Sequence, residues 1–349
     1  MRSTRRNRLT TQGLTEGAIQ AALVAVFAVI SRYVPLASLV TTFLIPLPLT
    51  VLVIRRGLRP AVLAAIVSGL LAGVLTGNVL VGLSILVAVA PFGIVVGLGA
   101  RRGWSAPRIL GAAILVTGAS VIANGLLLLA FLHINPIREY TLTIDLMRQS
   151  LETSLNLYTR LGVSPQTLES FRRTMMPVLD LMPKLILFVF ISTAVTSAWL
   201  NYQVGRPILR RVGHPLPALP PASTWRLPGF VLWLLPLAYV LHALGAQQIT
   251  SLSDRLRSTL PSAPLPISAD VGLNILVLVQ TAFQLQGVLV GWVLLGRYRM
   301  SPILRIIVLS LLVFNPIFGF LFLFLGLIDS VFPLRERLGP RPAVVGAES

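Results

Sequence analysis

The sequence predicts an all-α, polytopic transmembrane helical bundle, and three observations predict it. The 349 residues are 55% hydrophobic and only 11% charged, with a mean hydropathy of +0.84. A water-soluble domain cannot hide that much apolar side chain, whereas a bilayer solvates it. Long apolar runs alternate with short arginine clusters at Arg2/Arg5/Arg6/Arg8, Arg55/Arg56/Arg59, Arg101/Arg102/Arg108, Arg206/Arg210/Arg211/Arg226 and Arg297/Arg299/Arg305. The clusters recur after every second crossing, as the positive-inside bias demands. The net charge of +18 therefore reads as topology rather than as a nucleic-acid footprint, and segment 138–184 mixes six basic with five acidic side chains. A multi-pass protein of the bacterial cytoplasmic (inner) membrane is expected, with its N-terminus in the cytoplasm and the first apolar stretch a retained span rather than a cleaved signal.

The elements follow in order, at about 20 apolar residues per crossing. Gly17–Val34 is the first span. Leu36–Ile54 is the second, with Pro35 shaping the outer connection and Pro46 and Pro48 kinking the helix. Pro60–Ala100 holds 41 residues without a charge, too many for one crossing, and Thr76-Gly77-Asn78 divides it into spans three and four. Arg108–Leu132 is the fifth. Residues 137–182 then form an extracytoplasmic amphipathic helical hairpin. Leu142, Leu146, Leu151, Leu155 and Tyr158 share helical spacing, Gly162 stops that helix, and Ser164-Pro165 opens a second with Leu168, Phe171, Met175 and Val178 on one face. Residues 183–204 make span six.

A proline-rich basic cytoplasmic linker, 205–227, separates the six-span front (1–204) from a C-terminal unit of two or three spans (228–332) and a polar tail (333–349). Pro228–Ala246 is span seven and Asp270–Gly296 span eight, with 247–269 outside. Residues 303–332 read as one tilted span, which would carry Arg335, Arg337 and Arg341 outside. The alternative is a re-entrant hairpin broken at Asn315-Pro316. The total is eight or nine spans.

The absence of cysteine removes thiolate chemistry, disulfides and cysteine metal sites. His133, His214 and His242 are far apart, so no metal or cofactor is expected, and with no nucleophile–base set the chain is read as not an enzyme. It has no Walker A sequence, so ATP-derived energy would come from a partner. Candidate solute-binding residues are the polar groups at and near the outer span ends: Arg32, Asn78, Asn124, Asn135, Glu139 and Lys184. Span one carries Ala18, Ala21, Ala22, Ala25 and Ala28 within an arc of about 120°, opposite Gln20 and Phe27, a flat face another helix can approach. Ala18, Ala22 and Ala25 are the candidate partner-docking residues. Within the membrane, Asn274, Gln280 and Gln284 need hydrogen-bond partners, so the Gln280/Gln284 face should look into the bundle.

Ile45-Pro46-Leu47-Pro48, Arg55-Arg56-Gly57-Leu58-Arg59, Asn201-Tyr202, Trp225-Arg226-Leu227-Pro228, Gln286-Gly287 and Leu325-Gly326-Leu327-Ile328-Asp329 followed by Arg335 resemble the YybS-like family of bacterial membrane proteins. That resemblance covers nearly the whole chain. The six-span front is in turn similar to the substrate-binding S components of energy-coupling-factor vitamin transporters. In those proteins an alanine motif on the first helix docks on a transmembrane coupling subunit, and substrate binds near the outer face. The resemblance implies a small-solute-binding, transport-associated subunit whose partners are the lipid bilayer, an unknown small molecule and a coupling subunit with ATPases. The back spans and the outer hairpin depart from the usual S component, and a non-transporting membrane scaffold or regulator is the alternative.

Overall fold

The computed structural model describes residues 11–221, 224–245, 265–298, 300–313, 315–332 and 334–335. All elements among them are helical. They form two compact units, residues 1–179 with 189–219 and residues 180–188 with 220–349. Seven helices or helix runs among the described residues are long and apolar enough to cross a bilayer, or eight if one bent pair is counted as a span. The first and fifth arginine clusters, at Arg2–Arg8 and Arg299, and the tail beyond Arg335 lie wholly or partly outside the described residues, as do residues 246–264.

The first unit begins with α1 (Thr11–Tyr33). The second crossing is built from α2 (Ala37–Leu44) and α3 (Leu47–Arg56), interrupted where the sequence predicts a kink. Pro46 has no N–H to continue the ladder, and Thr50 Oγ1 lies 3.0 Å from Pro46 O and 3.1 Å from Gly93 O on a neighbouring helix. Gly57 (φ 92°) lets the chain reverse into α4 (Leu58–Thr76), which ends at Gly77 (φ 63°). The Asn78 side chain then caps α5 (Val79–Ser84) by accepting from Leu80 N at 2.9 Å. The charge-free run thus divides at Thr76-Gly77-Asn78. A π turn at Ile85–Val89 leads into α6 (Ala90–Arg101). Pro91 explains it: widening the helix before the ring relieves the clash with the carbonyl one turn back.

The α7 helix (Ala106–Leu132) completes the fifth crossing. The hairpin follows as α8 (Pro136–Arg160) and α9 (Pro165–Leu181), turning at Gly162 (φ 84°) with Ser164 Oγ accepting from Thr167 N at 3.3 Å. An Arg172–Glu152 ion pair at 2.6 Å ties the two helices. The buried line is Ile144, Leu155 and Leu179; Leu142, Leu146 and Tyr158 of the expected face are exposed. A 3₁₀ turn at Met182–Leu185 opens α10 (Ile186–Arg211).

Two contacts place arginine clusters at one end of this unit. Arg56 donates to both Glu16 oxygens at 2.8 and 2.6 Å, joining the start of α1 to the end of α3. Arg101 Nη1 donates to Val53 O at 3.2 Å. At the far end, Tyr33 OH donates to Thr76 O at 3.2 Å.

In the second unit α11 (Val231–Gly245) runs antiparallel to α12 (Leu265–Arg297). Leu227, just before α11, meets Gln286, and His242 near its end meets Ala269. The seventh span is shorter than expected, at 15 residues. Its length of about 22 Å falls short of the ~30 Å hydrocarbon layer, because Pro228, Gly229 and Phe230 are taken up by a turn. The last run is also corrected: α13 (Pro302–Val313) and α14 (Pro316–Val331) are bent by 109°, not one tilted span. Pro316, lacking an N–H, ends the first helix and starts the second. Gly287 of α12 and Gly326 of α14 let these two backbones touch, since a Cβ on either would meet the backbone of Phe322 or Phe283.

Candidate functional site

The polar groups proposed for an outer solute site are placed by local backbone needs. Asn78 is an exposed helix cap, and Asn135 caps α8 by accepting from Ile137 N at 3.0 Å. Asn124 Nδ2 bonds Ser120 O one turn back at 3.1 Å. Arg32 is exposed in the last turn of α1, and Glu139 is exposed in the first turn of α8. Pro136 packs at Gly125, which brings the start of α8 beside Asn124. Lys184 belongs to the second unit, where its side chain is exposed and only its carbonyl is used. These residues share no hydrogen bond among the described residues.

The small-residue side of α1 divides in two. Gly13, Gly17, Ala21, Val24, Ala25 and Ala28 are buried, and a Cβ on Gly17 would reach Leu52 of α3 and Ala64 of α4. Ala25, 1% exposed, is therefore core and is removed from the docking set. Ala18 and Ala22 are exposed, flanked by exposed Leu14 and Val26. At about 100° per residue these two alanines lie roughly 110° round the helix from the centre of the buried line. The predicted arc thus straddles a packed face and an open one.

In the second unit polar side chains reach between elements. Asn274 is 2% exposed. Its Oδ1 accepts from Phe188 N at 2.7 Å, while its Nδ2 donates to Lys184 O and to Asp270 O, each at 2.6 Å. It satisfies backbone groups freed where the 3₁₀ turn passes into α10. Gln284 reaches Gly319 O at 3.4 Å, and Gln280 is half-buried. The buried residues of α12 are Gly272, Asn274, Val279, Phe283, Gln286, Gly287, Val290 and Gly291, so Gln284, turned to α14, and half-buried Gln280 border this face.

Gln286, Asp329 and Arg335 form the most buried ionic cluster described. Asp329 and Arg335 side chains are 0% and 2% exposed and pair at 2.7 Å. Arg335 Nε and Gln286 Nε2 each donate to Asp329 Oδ2 at 2.9 Å, and Arg335 N donates to Oδ1 at 3.2 Å. Gln286 Nε2 also reaches Ser330 Oγ at 2.9 Å, and Gln286 Oε1 accepts from Leu227 N at 3.1 Å. Arg335 Nη2 donates to Trp225 O. One cluster thus joins α12, the end of α14, the segment after it and the strand of chain entering α11. The end of the last apolar run returns to where α11 starts, so Arg335 is not stranded at the opposite side. The sequence places Gln286 and Asp329 in two separate motifs, Gln286-Gly287 and Leu325–Asp329 followed by Arg335, without joining them. The available signal was that Asp329 is the single acid of 303–332 and needs a cation within reach.

A helical bundle with this pattern of crossings defines a multi-pass integral membrane protein. Residues 22–330 match the family model described as "Predicted membrane protein (DUF2232)", and the chain belongs to that family. It is similar to a Bacillus subtilis (strain 168) protein named "Uncharacterized protein YybS", 27% identical over 238 residues that cover 68% of this chain and 75% of the relative. The YybS-like resemblance read from the motifs is thereby established. No solved structure matches the chain.

Proposed function

We propose that the chain is a non-enzymatic, transport-associated subunit of the bacterial cytoplasmic membrane, which binds a small solute and docks through α1 on a transmembrane coupling partner served by ATPases. The observation that carries this reading is the open half of α1. Its buried half is accounted for by packing on α3 and α4, whereas Ala18 and Ala22 are exposed between Leu14 and Val26. Small side chains allow a second helix close approach, with dispersion and backbone contact supplying the attraction in lipid. The S components that the front half resembles use an alanine surface on the first helix for this purpose. The arginine clusters orient the same end of α1 towards the cytoplasm, where ATPases would act.

The test is affinity purification of the full chain from membranes of its own host. A membrane subunit and an ATPase should co-purify in fixed ratio, and Ala22→Trp should remove them while leaving the unfolding midpoint unchanged. Retention of the partners by Ala22→Trp would sink the docking claim. A second reading, a membrane scaffold or regulator, draws on exposed Arg210 and Arg211 beside the proline-rich stretch 215–221. It predicts that partners follow replacement of Pro220 and Pro221 by Ser rather than substitution of Ala22.

A further inference from the structure

The first unit contains a groove of about 350 Å³ between α1, α3 and α10, within the range of about 300–1,000 Å³ usual for ligand sites. It uses a third side of α1, carrying Gln20, Leu23 and Phe27, which is neither the core side nor the Ala18/Ala22 side. Most of its lining is apolar: Phe27, Leu47, Val51 and Ile208 among others. Its mouth carries one fixed cation, Arg55. Arg55 and His214 both line it, at the end of the helices where the arginines gather. From Leu47 to Arg55 the groove follows α3 for about 12 Å, enough for a substantial part of one acyl chain.

The charge at the mouth is in surplus. Glu16 is engaged by Arg56 in a two-point contact. Arg55 Nη2 is 3.3 Å from the same carboxylate, with its side chain still 48% exposed. One carboxylate thus faces two guanidiniums, and the last turn of α10 adds Arg210 and Arg211. His214 uses its backbone N–H on Leu209 O at 2.8 Å, and the residue lines the groove. A small hydrophilic anion would leave the apolar walls without a partner. A neutral lipid would leave the surplus cation without one.

The geometry points to a binding site for a single anionic phospholipid, one acyl chain lying along α1, α3 and α10 and the headgroup phosphate held by Arg55 and His214. Guanidinium matches phosphate by two parallel N–H donors, and the groove removes the chain from competition with bulk lipid. The site is independent of the docking proposal, because Ala18 and Ala22 lie about 150° round α1 from its centre.

Native mass spectrometry of the full chain in detergent, with phosphatidylglycerol or phosphatidylcholine added, tests it. One phosphatidylglycerol should be retained under activation that strips phosphatidylcholine. Arg55→Gln with His214→Gln should weaken retention by about fivefold or more, as expected when a guanidinium and an imidazole N–H donor are withdrawn from an anionic headgroup. Leu23→Trp, which fills the groove from its exposed side, should abolish it by volume alone. Arg102→Gln removes the same charge at a position outside the groove and should change nothing. Equal retention of the two lipids overturns the site. So does phosphatidylglycerol binding indifferent to both groove variants, or one lost equally in Arg102→Gln, which would mean a diffuse basic field only.

Discussion

The two units hold apolar helices together in an apolar solvent by different means. In the first, backbones are brought close by small residues: Gly69 against Gly82, Gly93 against Pro46 and Leu49, and Gly17 and Ala21 of α1 in the core. Its intramembrane polar groups mostly satisfy carbonyls one turn back, as Asn124, Thr76 and Asn201 do. In the second, close contact at Gly287 and Gly326 is joined by long-range polar contacts through Asn274, Gln286, Asp329 and Arg335. Shape specifies the first unit, whereas direction and charge also specify the second. A lipid environment explains why both work: it gives no hydrophobic drive between helices, so packing and internal hydrogen bonds must supply it.

The sharpest way to break the contrast is to remove one partner of the buried pair. Asp329→Ala or Arg335→Ala should cost about 3–5 kcal/mol, because the remaining charge is left buried without compensation. Replacing both by Leu should recover most of that loss. Thermal unfolding in detergent measures all three, and a double variant as unstable as the singles would deny the pairing.

Asn274→Leu should cost less, about 1–3 kcal/mol, by leaving Phe188 N–H without its acceptor. Limited proteolysis around 180–188 should become faster if Asn274 is what pins that stretch. In the first unit the comparable lesion is steric: Gly82→Leu should cost about 1–3 kcal/mol through overpacking against Gly69. Gly82→Ala should fall between Leu and the parent, a graded response that a hydrogen-bond lesion does not give. Smallest of all is Glu16→Gln. Its ion pairs with Arg55 and Arg56 are partly open to solvent, and such pairs contribute little. A large fall in unfolding midpoint there would mean that charge also governs the first unit.

The crossings were legible in the sequence because apolar length and arginine placement are one-dimensional signals. Gly77, Asn78, Gly162 and Ser164 were equally readable, since each turn needs a particular backbone freedom or side-chain acceptor. Rotation of helices was less legible. The alanine arc of α1 was correctly flat, yet nothing in its composition told which half meets α4, and Ala25 fell on the packed side. On α12 the glutamines at 280 and 284 share a face by spacing, but Gln286 lies on the packed one because Phe283, Gly287 and Val290 set the contact with α14. Arg335 lies six residues after Asp329 and was within reach of a sequence reading, whereas its contact with Trp225, 110 residues away, needed the path of the last apolar run to be known first.

The Arg335–Trp225 contact spans 110 residues of chain, and this has a bearing on biogenesis. A membrane protein is delivered to the bilayer from its N-terminus, so Asp329 leaves the translation machinery before the cation that neutralises it. Until Arg335 follows, α14 carries an unpaired acid that disfavours stable insertion. Closure of the cluster therefore waits until Arg335 has been made, long after Trp225. It ties the entry to α11, made long before, to the segment that follows α14. A chain cut short between Asp329 and Arg335 would carry the acid without its cation, whereas one cut before Asp329 would carry neither.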